Sequence, residues 1–127
     1  MGSNGNTHQA SIIFRGCRAW NNSDDGFDFY ADSALVTIDR CWAWRNGYRE
    51  DHITTGGDGN GFKLGTSGDY PTVLLRVVQN SISFLNRRAG LNSNSANCLI
   101  NVYNNTFYAN GLHGVWMFTA DLAYIFR

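Results

Sequence analysis

The amino-acid sequence predicts an all-β protein, a right-handed single-stranded parallel β-helix of about four to five coils, each repeat being one supersecondary unit. Three observations predict it. A repeat keeps its register along the chain, short apolar runs end in asparagine or glycine, and there is one proline against fourteen glycines. Such a composition favours many short strands and tight turns over long helices. Eight Phe, six Tyr and four Trp supply enough large apolar surface for a packed core.

The repeat is FRGCRAWNN from Phe14, IDRCWAWRN from Ile38, VQNSISFLN from Val78 and VYNNTFYAN from Val102. Its starts lie 24, 40 and 24 residues apart, so the middle spacing is the basic 24 plus sixteen inserted residues. Element by element, the columns follow. Phe14, Ile38, Val78 and Val102 share one column. Cys17, Cys41, Ser81 and Asn105 share the next. Trp20, Trp44, Phe84 and Tyr108 form an aromatic column. Asn22, Asn46, Asn86 and Asn110 mark the bend that follows, where stacked asparagines can bond one another and the turn backbone. Gly26, Gly61, Gly90 and Gly114 open the third strand. Eleven of the extra residues fall between Asn46 and Gly61 and five between Gly65 and Val78, in the polar stretches GYREDHITTGGDGN and TSGDYPT. Both are expected to be loops. A two-sheet sandwich would need hairpins, and paired strands around an Asn-Gly turn are scarce here.

Strand alternation orients the third strand. In GFDFY, Phe27 and Phe29 point one way and Asp28 the other; in GFKLG, Phe62 and Leu64 match them and Lys63 matches Asp28. Phe27, Phe62, Leu91 and Val115 are expected to stack inward, and Asp28, Lys63, Asn92 and Trp116 to face outward. Adjacent coils are about 4.8 Å apart, so Asp28 and Lys63 are expected to be first neighbours.

Chain length sets one domain, residues 1–127. A formal net charge of zero gives no bulk attraction to nucleic acid or an anionic membrane. No apolar run approaches the roughly 18 residues of a membrane helix, and the polar start MGSNGNTHQ shows no signal-peptide core. Cys17, Cys41 and Cys98 have neither disulfide-framework nor zinc spacing; Cys17 and Cys41 are expected to stack in the core.

The candidate chemistry lies in NSDDGFDFY and GFKLG. Asp24, Asp25 and Asp28 place three carboxylates in five residues, which repel unless a cation neutralises them. Calcium takes several oxygen ligands and suits such a turn; a solvated acidic turn is the alternative. Lys63 is a candidate base, which must be partly neutral, or simply the ion-pair partner of Asp28. Bare aspartates would raise its pKa and a bound calcium would lower it. Arg87 and Arg88 lie on the turn near Asn92; they would hold an anionic substrate or keep the turn soluble. Asn92 and Arg88 are the candidate substrate-binding residues. Trp42 and Trp116 are sugar platforms or edge packing. His8, His52 and His113 lack metal spacing and are expected at the surface or in turns. GGDGNG, from Gly56, leads into a strand and so is a loop, not a dinucleotide fingerprint.

Taken together, NNSDDGFDFY, RCWAWRNGY, GDGNGFKLG and NNTFYANG resemble the family nine polysaccharide lyases, the β-helical pectate lyases, from about Gly2 to Gly111. The resemblance implies calcium-dependent β-elimination of polygalacturonate by a secreted enzyme. Asp24, Asp25 and Asp28 would be calcium ligands and Lys63 the base that takes the C5 proton. It also implies a further aspartate ligand about one coil upstream and more coils on both sides, so the chain is expected to be a central segment. A glycoside hydrolase using Asp24 and Asp25 and a non-catalytic carbohydrate-binding or structural β-helix are the alternatives. Two structural expectations follow. The three aspartates should converge at the surface, and Lys63→Ala should leave the fold intact because the side chain faces outward.

Overall fold

The computed structural model describes residues 10–30, 32–65, 74–94, 98–117 and the backbone of 124–126. Coil one holds β1 (Ser11–Arg15), β2 (Arg18–Trp20) and β3 (Phe27–Asp28). Coil two holds β4 (Leu35–Asp39), β5 (Trp42–Trp44) and β6 (Phe62–Lys63). Coil three holds β7 (Leu74–Gln79), β8 (Ile82–Phe84) and β9 (Ala89–Asn92). Coil four holds β10 (Cys98–Tyr103), β11 (Thr106–Tyr108) and β12 (His113–Trp116), and β13 (Tyr124–Phe126) opens a fifth. All pairs among these strands are parallel and join equivalent strands of successive coils, giving sheets β1-β4-β7-β10-β13, β2-β5-β8-β11 and β3-β6-β9-β12. This is the right-handed parallel β-helix that the repeat predicts.

The registers are those of the sequence columns. Phe14 pairs with Ile38, Ile38 with Val78 and Val78 with Val102. Phe27, Phe62, Leu91 and Val115 stack in one column, with Phe62 and Leu91 fully buried. Trp20, Trp44 and Phe84 stack with interplanar angles of 3° and 4°. The asparagine bend is a ladder. Asn22 Nδ2 donates to Asn46 Oδ1 at 2.9 Å, Asn46 Nδ2 to Asn86 Oδ1 at 2.8 Å, and Asn86 Nδ2 to Asn110 Oδ1 at 2.9 Å. The amides of Asn46 and Asn86 also donate to the carbonyls of Ala19 and Ala43. A buried amide with all these partners satisfies the bend, where an apolar residue would leave carbonyls bare.

Two further columns are conformational. Gly16, Arg40, Asn80 and Asn104 turn with positive φ on one side of the second strand, and Asn21, Arg45, Leu85 and Ala109 on the other. One departure concerns Arg76, which sits fully buried between Val36 and Ile100 in a column of apolar residues. Its guanidinium donates to the carbonyls of Ala34, Asp32 and Leu64, and so satisfies three acceptors at one corner. The cysteines are free, Cys41 in the core and Cys17 half-buried.

The first insertion, residues 47–60, is an ordered loop. Tyr48 and Thr55 form an antiparallel bridge, and Asp51 accepts the amides of Ile53 and Thr54 at 2.9 and 2.7 Å. Gly57 donates its amide to the Ser23 carbonyl at 2.6 Å, and a Cβ at the neighbouring Gly56 would meet that carbonyl oxygen at 2.0 Å, so only glycine fits at Gly56. The loop therefore lies back against the turn of coil one. The second inserted stretch, TSGDYPT, falls outside the described residues.

Candidate active site

β3 and β6 pair Asp28 directly with Lys63, as strand alternation predicts. Lys63 points away from the core column, yet its side chain is only 11% exposed. Asp25, Asp28, Asp58 and the ring of Tyr30 surround it. Its Nζ lies 3.0 Å from Asp25 Oδ2, 3.2 Å from Asp28 Oδ2 and 3.5 Å from Asp58 Oδ2, and 5.8 Å from the Tyr30 ring centre. The expectation that Lys63→Ala spares the fold is corrected accordingly. Removing the ammonium leaves the Asp25 carboxylate, 1% exposed, without its counter-charge.

The three aspartates of the acidic turn have three fates. Asp25 turns inward; its Oδ1 accepts the Asn60 amide at 2.6 Å and Asn60 Nδ2 at 2.8 Å. Asp28 keeps its outward place, and its Oδ1 accepts the Tyr30 amide at 2.8 Å. Asp24 is turned away to the insertion loop, where its Oδ1 accepts the Asp58 amide at 2.6 Å. The structure thus brings Asp25 and Asp28 together on Lys63 and does not bring Asp24 with them.

Asp58 is the site residue that the repeat pattern missed. It lies in the insertion, outside every column, and its Oδ1 accepts Arg88 Nη1 at 2.6 Å while Oδ2 faces Lys63. The signal available was its place in GDGNG, just before the strand that carries Lys63. Arg88 stacks its guanidinium 4.7 Å over the Trp116 ring. Arg87 is engaged by the loop, donating from Nη2 to the carbonyls of Gly57 and Asp58. Asn92 is buried; its Nδ2 donates to Asn60 Oδ1 at 3.2 Å and its Oδ1 accepts the Asn94 amide at 2.8 Å. It braces Asn60, which in turn braces Asp25. Trp42 is exposed beneath the Arg18 guanidinium, His52 lies on the insertion loop, His113 packs against Trp116, and His8 lies outside the described residues.

The electrostatics follow from this packing. Burial lowers the pKa of Lys63, but the hydrogen bond and charge of Asp25 and the charge of Asp28 outweigh it, so the ammonium is held above the ordinary lysine range. Burial raises Asp25 above the ordinary carboxylate range, against the pull of Asn60 and Lys63. Both shifts favour the protonated form, which is the charged state of Lys63 but the neutral state of Asp25. The charged pair is the state to take at neutral pH, because three carboxylates share the lysine and Asn60 donates twice to Asp25. Bare aspartates raise the lysine, as expected.

Calcium needs six to eight oxygen ligands. Asp25, Asp28 and Asp58 turn carboxylate oxygens toward one point, but Lys63 Nζ stands at that point, Arg88 shares Asp58 and Asp24 faces elsewhere. Among the described residues no three acidic, histidine or cysteine side chains are grouped to hold a metal ion. The residues present therefore do not fit calcium as a complete site.

Residues 3–120 match the family described as the Pel9A-like, right handed beta helix region. Pectate lyase L of Dickeya chrysanthemi is 43% identical over 102 residues, covering 79% of this chain and 23% of that protein. Pectate lyase PEL9 of Emericella nidulans is 39% identical over 101 residues, covering 65% of this chain and 25% of that protein. Among solved structures, a rhamnogalacturonan lyase matches with a TM-score of 0.62 at 34% identity, covering 72% of this chain and 25% of its own. Pectate lyase Pel9A matches with a TM-score of 0.59 at 29% identity, covering 87% and 33%. The chain spans about a quarter of the length of these curated relatives. With the fold, the registers and the sequence match in agreement, the chain belongs to the Pel9A-like right-handed β-helix family.

Proposed function

We propose that this chain carries the catalytic segment of a polysaccharide lyase that cleaves polygalacturonate, an acidic polymer, by β-elimination, with Lys63 as the base. The observation that carries the reading is the position of Lys63 Nζ within 3.5 Å of three carboxylates, one of which also holds Arg88. The relatives' names, pectate lyase and rhamnogalacturonan lyase, point to uronate-containing polymers. In this reading the polymer is met outside the cell, as the resemblance to secreted enzymes implies.

In this reading the uronate carboxylate displaces Asp58 from Arg88, whose guanidinium offers a planar fork to it. Trp116 beneath Arg88 holds the guanidinium in place. Lys63, as the neutral amine, takes the C5 proton. The C5–H electrons form the C4–C5 double bond, the C4–O bond breaks, and the departing oxygen takes a proton from water. Asn92 acts at one remove, through Asn60, in fixing Asp25 beside the base. The resemblance implies Asp24, Asp25 and Asp28 as calcium ligands, but Asp24 faces the insertion loop and Lys63 stands between Asp25 and Asp28, so the described residues do not fit that ion.

The test places this segment in the matching region of the Dickeya chrysanthemi enzyme and supplies polygalacturonate. The expected product is an ultraviolet-absorbing unsaturated sugar end. Lys63→Arg keeps the charge but stays protonated, and should lower turnover by a factor of about 10² or more. New reducing ends without the double bond would make the protein a hydrolase, and an intact polymer a binding module. Near-normal turnover in Lys63→Arg would reduce the lysine to an ion-pair partner.

A further inference from the structure

We propose that the cavity between the insertion loop and the corner of coils two and three is a second carbohydrate site, one that takes a single uronate ring. It measures about 350 Å³ and is lined by Arg45, Tyr48, His52 and Leu85. That volume falls in the range of small-ligand pockets, roughly 300–1,000 Å³. It is separate from the Lys63 cleft in the fold. Arg45 and Leu85 follow β5 and β8 at the corner leaving the second sheet, whereas Lys63 lies on the third.

The chemistry of the lining selects the ligand. Among the described residues, the side chains of Arg45, Tyr48 and His52 have no hydrogen bond or ion pair. One guanidinium, one phenol and one imidazole therefore border an open pocket beside the exposed Leu85. A planar carboxylate matches the guanidinium fork. Ring hydroxyls match the phenol and imidazole, which both donate and accept. The apolar face of a sugar ring matches Leu85. A neutral sugar would leave the arginine without its partner.

Backbone conformation gives an independent reason. Arg45 and Leu85 belong to the column of positive φ that begins with Asn21, at 52° and 55°. Asparagine takes this conformation readily, whereas other residues lose about 1–2 kcal/mol. Coil one carries the residue suited to it; coils two, three and four carry Arg, Leu and Ala, and the two with long side chains, Arg45 and Leu85, line the cavity. The wall opposite is fixed in advance by the Asp51 bonds to Ile53 and Thr54, so the pocket is preformed.

The choice of galacturonate as the ring rests on the lyase reading; the preference for an anionic ring rests on the cavity. The test is a nuclear magnetic resonance titration of the full chain with a galacturonate trimer and with a neutral galactose trimer. His52 ring protons report the cavity, and the Asp28 and Tyr30 amides report the Lys63 cleft. Saturable His52 shifts with the galacturonate trimer and none with the neutral one are expected. Arg45→Asn installs the residue that coil one uses at this register, so it should fold at least as well and weaken that binding about tenfold or more. A silent His52, equal shifts with the neutral trimer, or unchanged affinity in Arg45→Asn would overturn the proposal. A loss of thermal stability in Arg45→Asn would do so too, by giving the arginine a structural reason. Shifts in the cleft without His52 would sink this site and leave the lyase reading standing. Shifts at His52 with a silent cleft would support this site on its own, the lyase reading being decided by the product assay.

Discussion

Lys63 carries a conflict between its two roles. As the counter-ion of Asp25, Asp28 and Asp58 it is held protonated, with its pKa raised. As a base it works only when neutral. A raised pKa moves the rising limb of the rate profile to higher pH, so kcat/KM should climb through the neutral and alkaline range, about tenfold per pH unit below that pKa. Initial rates of unsaturated product from pH 7 to 10 check this; a flat profile would remove Lys63 from proton abstraction. The same residue carries stability. Lys63→Ala strips a buried partner and should cost about 3 kcal/mol or more at neutral pH in a denaturant titration. The loss should shrink in acid, because the raised Asp25 takes up a proton there and no longer needs a counter-charge. An unchanged midpoint at neutral pH would mean that Asp25 is already neutral. The Asp28–Lys63 contact was legible in the sequence because strand pairing has a fixed spacing. The parting of Asp24 from Asp25 was not, because it depends on a loop amide, that of Asp58, brought in by the insertion.

At the scale of elements, the columns were legible because each coil repeats the same inward and outward pattern, and the asparagine ladder needs one residue type at one place. Arg76 breaks that logic. It fills an apolar column because three carbonyls at a corner, those of Ala34, Asp32 and Leu64, need donors, and nothing local in VLLRVVQ announces them. The insertion loop had no register to read, yet its order is local. Asp51 is held to about pKa 2 by the Thr54 hydroxyl and by the amides of Ile53 and Thr54. Its folded pKa lies below the ordinary 3.8, so its contribution is present above that value and is lost as pH falls through about 2. Asp51→Ala should release the Ile53 and Thr54 amides to hydrogen exchange while the strands keep theirs. Unchanged exchange at those two amides would show that the loop is held from its ends alone.

A solenoid couples each coil only to its neighbours. The inner strands β4, β7 and β9 are largely buried, while β2 and β11 alternate exposed and half-buried and β12 is more open still. Exchange protection should therefore be highest in coils two and three and fall off through β2, β11 and β12. One uniform protection level across all strands would mean a single cooperative unit instead. The whole-molecule shape was the most legible level of all, since a 24-residue period with one interruption leaves few other ways to bury four aromatic-rich repeats.

The ion cluster is also a clasp. Asp25 and Asp28 belong to coil one, Lys63 and Asp58 to coil two, and Arg88 to coil three, so no single coil contains the site. Fraying of coil one would open the clasp and return the lysine to an ordinary amine in water. Proton affinity at Lys63 thus doubles as a gauge of how tightly the first coils are stacked. Whatever caps coil one would tune the chemistry without touching it.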